Sequence, residues 1–139
     1  MIILDTNVVS GLMRTPPDPV LVPWLDSQPR TSVWITTITV LEIRFGLDLM
    51  PDGRRAASLR TAFDRLVAEV LQRRIAPFDA AAASETAALM ATRQRRGQPQ
   101  ELRDSMIAGI AIARRATLAT RNVRHFPDLA EPPVNPWAD

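Results

Sequence analysis

Apolar residues in this 139-residue chain fall into short runs alternating with longer stretches of helical spacing. Ile2-Ile3-Leu4 is closed by Asp5 and followed at once by Thr6-Asn7 and a helix-like stretch from Val8 to Met13. This reads as a buried strand that delivers a carboxylate to its C-terminal end, then a helix. After a Pro-rich loop from Thr15 to Pro19, a short helical piece covers Val20 to Asp26. Val33-Trp34-Ile35-Thr36 reads as a second strand, leading to a helix from about Thr39 to Leu49 that Pro51-Asp52-Gly53 stops. Leu59, Ala62, Phe63, Leu66, Val67, Val70 and Leu71 carry the helical repeat, with Arg60, Asp64 and Arg65 on its solvated face. Ile75 to Phe78 reads as a strand, and Asp79 is placed to cap an Ala-rich helix continuing to about Arg95. Past the break at Gly97 to Pro99, a strongly apolar helix runs from about Glu101 to Arg115, and Thr117 to Thr120 reads as a short buried strand. The Pro-rich tail, Pro127 to Pro136, predicts an irregular strap with Trp137 as its anchor.

Strands separated by helices predict an α/β fold, a short, mainly parallel sheet sandwiched between helical layers. The length predicts a single domain over residues 1–139. Hydrophobic residues at 46% and charged residues at 23% are the balance of a soluble globular protein, and no apolar run approaches the ~20 residues that span a bilayer. The start lacks the pattern of a signal peptide. With no Cys there is no disulfide framework and no thiolate metal site, and a cytoplasmic location is the expectation. The formal charge is +2, and all 17 basic residues are Arg. GC-rich coding bias is the ordinary cause of such a composition, although Arg also suits phosphate recognition. Trp24, Trp34 and Trp137 are too dispersed for a base-stacking platform and read as core or dimer packing.

Three acids stand out against this pattern. In open parallel sheets, ligands gather beyond the strand C-termini, where Asp5 is expected. Glu42 lies among Val40, Leu41, Ile43, Phe45, Leu47 and Leu49 on a helix with little solvent-facing character, where a carboxylate is costly unless a cation or several donors compensate it. Thr39 with Glu42 three residues later also matches a capping box. Asp104 opens a helix whose continuation, Met106 to Ala111, is apolar almost all round; the helix dipole alone would favour an acid there, just as Asp5 alone would serve as a cap. Together, three acids at the junctions of buried elements fit one crevice.

Clustered carboxylates with no Cys and a single His select a hard, oxygen-seeking ion, Mg²⁺ or Mn²⁺, and such ions serve phosphate chemistry. Asp5 and Asp104 are the expected primary ligands, and Glu42 a ligand or the group orienting a metal-activated water. Metal-free RNA cleavage needs an acid and a base titrating near neutrality. With only His125 available that route is disfavoured, and His125, beside Phe126, reads as a packed, hydrogen-bonded residue. The absence of Lys excludes a P-loop, and no glycine-rich phosphate loop is present.

Leu4-Asp5-Thr6-Asn7, the run from Thr36 to Gly46, Asp104-Ser105-Met106-Ile107-Ala108 and the run from Thr120 to Phe126 resemble, in order and spacing, the motifs of PIN-domain ribonucleases. Among these, the chain is similar to VapC-type toxins of bacterial type II toxin–antitoxin pairs, including the FitB-like branch. The resemblance implies a PIN-like three-layer α/β/α sandwich and a Mg²⁺- or Mn²⁺-dependent endoribonuclease acting on RNA. It further implies a homodimer, inhibited by a small cognate antitoxin through which alone it reaches promoter DNA. The acids of the family site fall on Asp5, Glu42 and Asp104. A fourth acid, where present, falls in the Thr120 to Phe126 motif, and here that motif has Asn122. Thr6, Asn7 and Thr120 match polar positions that orient water or phosphate, and Arg121 and Arg124 are candidates for RNA phosphates. Two other readings remain open at this point: a catalytically weak fold acting with its antitoxin as a DNA-bound repressor, and a housekeeping RNA-processing nuclease.

Overall fold

The computed structural model describes residues 1–138. Ten elements follow in order: β1 (Ile2–Leu4), α1 (Thr6–Met13), α2 (Leu21–Asp26), β2 (Val33–Thr36), α3 (Thr37–Leu49), α4 (Arg54–Arg65), β3 (Ile75–Ala76), α5 (Ala80–Arg95), α6 (Leu102–Arg114) and β4 (Thr117–Ala119). The strands form one four-stranded sheet in the order β3-β2-β1-β4, and every pairing is parallel.

The two-residue period of a strand divides the core in two. Leu4, Val33, Ile35 and Ala119 point to one face, where Val8, Val9, Leu21, Ile43, Leu47 and Phe63 cover them from α1 to α4. Ile3 and Leu118 point to the other, against Ala82 of α5 and Ile107, Ala108 and Ile110 of α6. The result is the expected three-layer α/β/α sandwich. The helices α5 and α6 touch closely because residue 109 is Gly: a Cβ there would overlap the Thr86 hydroxyl and lie 2.8 Å from the Ala82 carbonyl.

Several boundaries differ from the sequence reading, each for a local reason. The third helix starts at Thr37, because Thr36, not Thr39, caps it by accepting from the Thr39 amide at 3.1 Å. The helical repeat from Leu59 to Leu71 is interrupted: α4 ends at Arg65, and a π turn carries Leu66–Val70. The strand expected over 75–78 is two residues long. Asp79 caps α5 as expected, accepting from the Ala82 amide at 3.0 Å. The tail is an irregular strap: Val134 pairs in parallel with Ala119 along the outer edge of β4, and the Trp137 indole donates to Asp18 Oδ2 at 3.0 Å. Trp24 packs against the first core and Trp34 against the second.

One expectation about α3 was wrong. Leu41, Phe45 and Leu49 are 54%, 55% and 69% exposed and form a stripe along the outer face of the helix. Hydrophobicity implies burial only as a tendency, and three of this helix's seven apolar side chains are turned outward.

Candidate active site

The chain passes from β1 to β2 and β3 on one side, then returns to place β4 on the other side of β1. This reversal opens a crevice beyond the C-terminal ends of β1 and β4. Asp5 and Thr120 are the residues that follow those two strands. The Asp5 amide extends the ladder by donating to the Ala119 carbonyl at 2.9 Å. Its Oδ1 accepts from the Thr6 amide at 2.8 Å and so caps α1, while Oδ2 accepts from the Thr120 hydroxyl at 2.7 Å and from Asn7 Nδ2 at 3.4 Å. Asp5 is 4% exposed. Burial holds its carboxyl above the usual carboxylate range, against the pull of the Thr120 hydroxyl and the Thr6 amide, and the charge of Asp104 pushes it further upward.

Glu42 stands in the second turn of α3 and caps nothing. Its Oε1 accepts from the Thr6 hydroxyl at 2.8 Å, which itself lies 3.0 Å from the Thr39 hydroxyl. Its Oε2 is 3.7 Å from Arg103 Nη1. The capping-box reading of Thr39 and Glu42 therefore fails, and Thr6 joins Asp5 and Glu42 by direct bonds. Asp104 lies in the first turn of α6, but the cap is Glu101, whose carboxylate accepts from the Asp104 amide at 3.2 Å. This leaves the Asp104 side chain free for the crevice, where Oδ2 meets His125 Nδ1 at 3.0 Å. Burial again raises its carboxyl above the usual range; His125 opposes the shift, and the charges of Glu101 and Glu42 add to it.

His125 is hydrogen-bonded as expected, to Asp104, but it is not packed: its side chain is 48% exposed, whereas Phe126 next to it is the residue that packs inside. A tight turn over Val123–His125 sends successive side chains in different directions. The remaining polar residues brace the crevice. Asn7 Oδ1 accepts from the Arg121 amide at 3.1 Å, and Thr120 Oγ1 accepts from the Asn122 amide at 3.0 Å. Asn122 and Arg124 are exposed, and the Arg121 guanidinium lies 3.9 Å above the Trp137 ring. A groove of about 460 Å³ shares Thr6, Asn7 and Glu42 with this site and is also lined by Arg14, Arg55 and Arg121.

The PIN-domain sequence profile matches residues 2–132. The chain belongs to the PIN-domain family. It is 36% identical over 137 residues to VapC ribonuclease Y4jK of Sinorhizobium fredii, covering 99% of this chain and 98% of that protein. It is 33% identical to Toxin FitB of Neisseria gonorrhoeae over 139 residues, with 100% of both chains covered. Among solved structures, a chain of FitAB bound to a DNA fragment superposes with a TM-score of 0.89 at 32% identity, covering 100% of this chain and 97% of that one.

The PIN fold thus gathers the expected acids around one crevice, but not in contact. Among the described residues, no three acidic or imidazole side chains stand close enough together to hold an ion as placed. Asp104 is turned toward His125, and Glu42 lies between Thr6 and Arg103. The chemistry of the donors nevertheless fits a hard divalent cation: all are oxygens, and two carboxyls, Asp5 and Asp104, are destabilised in their charged form by burial and by neighbouring carboxylates. Two further participants, Arg103 and Arg93, escaped the sequence reading. Arg103 sits one residue before Asp104 and carried no signal. Arg93 carried one: Ala82, Thr86, Leu89 and Arg93 share a helical face, and the first three are apolar or small.

Proposed function

We propose that this protein is a divalent-metal-dependent endoribonuclease and the toxin of a toxin–antitoxin pair. The observation that supports this reading is the placement of Asp5, Glu42 and Asp104, from three separate elements, around one crevice at the reversal point of the sheet. The full-length similarity to a VapC ribonuclease and to Toxin FitB supports it, and the likeness to a chain of FitAB bound to a DNA fragment supports a partner protein and an assembly that meets DNA.

Asp5, Asp104 and Glu42 are the residues that would hold Mg²⁺ or Mn²⁺. Bound there, such an ion offsets charge on the phosphodiester and lowers the pKa of water. The protein's own groups supply the rest. Thr120 and the Thr6 amide fix both oxygens of Asp5, so its carboxylate is oriented before any ligand arrives. Thr6 fixes one oxygen of Glu42, and the other, once drawn from Arg103, is an acceptor able to orient an attacking water. His125 and Arg103 are the partners from which Asp104 and Glu42 must be drawn to share a cation. Arg121, held over Trp137, and Arg14 and Arg55 give the adjoining groove the positive charge that an RNA strand needs.

A second reading, a weak nuclease acting mainly as half of a repressor, has one observation in its favour. Asn122 stands exposed where the family motif can carry a fourth acid. One experiment separates the two: purified protein incubated with structured and unstructured RNAs, in chelator, Mg²⁺ or Mn²⁺, with end-group analysis of the products. Metal-dependent fragments with 5′-phosphate and 3′-hydroxyl ends are expected. No cleavage under any condition would leave the repressor reading, and 2′,3′-cyclic phosphate ends would overturn hydrolysis by water.

A further inference from the structure

Arg93 is 3% exposed, deep between α5, α6 and the segment after β4. Its Nε and Nη2 grip Asp128 as a fork, at 2.9 Å to Oδ2 and 2.8 Å to Oδ1. Nη1 donates to Ser105 Oγ at 3.2 Å, and Nη2 also donates to the His125 carbonyl at 3.4 Å. Asp128 neutralises the buried guanidinium, and that bond holds the Asp128 carboxyl below the usual carboxylate range. Neutralisation accounts for Asp128 alone. A buried ion pair is weak evidence of stability, since apolar residues of similar volume commonly serve as well. The other two bonds have informative addresses: Ser105 follows Asp104 in sequence, and His125 is the residue whose ring meets Asp104. Arg93 therefore grips both sides of the Asp104–His125 contact from behind, touching neither of the two facing side chains.

The support beneath Arg93 is rigid. The absence of a Cβ at Gly109 lets α5 and α6 approach closely, and the Thr86 hydroxyl, bonded to the Ala82 carbonyl at 2.7 Å, also reaches the Ser105 carbonyl at 3.4 Å. The segment from Asn122 to Asp128 has no comparable packing of its own, because Asn122 to His125 are all exposed. Besides the Asn122 amide bond to Thr120 and the His125–Asp104 contact itself, Phe126 and the Arg93 bonds tie it down.

We propose that Arg93, through Ser105, His125 and Asp128, is a positioning residue that sets where Asp104 stands relative to the rest of the acidic crevice. The proposal rests on the reading of Asp104 as a working carboxylate, and it adds that the placement of this acid is decided by a cation that never touches the substrate. A change at Arg93 loosens the junction between the first turn of α6 and the 122–128 segment, and Asp104 loses its register. Outer partners of this kind typically alter metal affinity or activity by about 10-fold or more.

His125 is the single histidine of the chain, so its imidazole resonances report this junction unambiguously. Asp128→Asn and Arg93→Lys are compared with wild type at fixed pH by heteronuclear NMR of the imidazole, by Mn²⁺ titration and by kcat and KM on one RNA. Arg93→Lys keeps the charge and loses the fork. The expected results are displaced His125 resonances, Mn²⁺ affinity weaker by about 10-fold, and a fall in kcat larger than the rise in KM. Lower melting temperatures with unmoved His125 resonances and wild-type Mn²⁺ affinity would reduce Arg93 to a structural ion pair and overturn the proposal. If neither variant folds, Ser105→Ala decides, because it cuts only the link to the Asp104 turn. Weakened Mn²⁺ binding in Ser105→Ala supports the proposal, and unchanged binding overturns it. A wild type that neither binds Mn²⁺ nor cuts RNA would sink the nuclease reading, while the His125 resonances would still decide whether Arg93 sets the junction.

Discussion

The two aspartates of the crevice are held in opposite ways. Asp5 is built into the sheet: its amide continues the β1–β4 ladder, and both carboxylate oxygens accept bonds from the backbone or from hydroxyl and amide groups within the fold. Asp104 projects from a helix terminus, half-buried, and its recorded side-chain partner is an exposed imidazole. One acid is fixed by the architecture, and the other is placed by side chains that can exchange partners. A site built this way has a rigid half that defines where charge accumulates and an adjustable half that completes it.

Substitution of the rigid half should have the largest effect. Asp5→Asn is expected to reduce RNA cleavage by on the order of 10²-fold or more, the scale seen when a preorganised electrostatic group is lost. It should also raise the melting temperature in chelator at neutral pH, because it removes a buried charge. The sign follows from its titration. A carboxyl held above its usual range in the folded state contributes stability that is complete below the unfolded value and is lost as pH rises through the folded value. The Asp5 contribution in chelator should therefore fall as pH rises from acid toward neutrality, against the gain from Asp18, Glu101 and Asp128, whose carboxyls are held low, and Asp5→Asn should show a larger net rise in stability with pH than wild type. A melting temperature that falls sharply in Asp5→Asn would make its capping of α1 the dominant role.

Asp104→Asn should match the loss of cleavage but change stability less, because this carboxyl is only half-buried and opposed by His125. Equal stability changes for the two variants, measured by thermal melts in chelator, would erase the distinction between the halves. Metal linkage sharpens the contrast. Mn²⁺ at about 100 times its Kd should stabilise wild type by about 2.7 kcal/mol, and the increment should shrink in both aspartate variants. Equal increments in wild type and variants would place the ion elsewhere.

The smallest effect is expected at Asn122. Asn122→Asp should tighten Mg²⁺ binding modestly if the added charge faces the crevice, and Asn122→Ala should slow cleavage if the amide orients water. Should neither alter rate or metal dependence, the exposed position of Asn122 means that it lies outside the working site.

The rigid half was the half legible in the sequence. An apolar run closed by Asp and followed by a helix leaves little choice, because strand period, cap and sheet topology all send Asp5 to one place. The parallel sandwich was legible for the same reason. The adjustable half was not, since it depends on contacts between residues remote in the chain. His125 and Asp104 are 21 positions apart, and Arg93 and Asp128 are 35 apart. Arg93 drew no notice because charge usually marks a surface, and Leu41, Phe45 and Leu49 looked buried because hydrophobicity usually marks a core. Arg93 meets a partner that local patterning does not encode, and the outward stripe on α3 is set by how the helix packs, which its own residues do not specify. Glu42 fell between these cases: the apolar surroundings singled it out, but its true neighbour, Thr6, is 36 positions away.

The bond between the Thr120 hydroxyl and Asp5 spans 115 positions, and the strand carrying Thr120 has its outer edge covered by Val134, whose amide donates to the Leu118 carbonyl at 2.9 Å. During synthesis Asp5 therefore waits through those intervening residues before the group that orients it exists. A nascent fragment ending before residue 120 can form β1 to β3 and most of the helices, yet its first carboxylate lacks the Thr120 hydroxyl. Assembly of the crevice is thus a late event in translation.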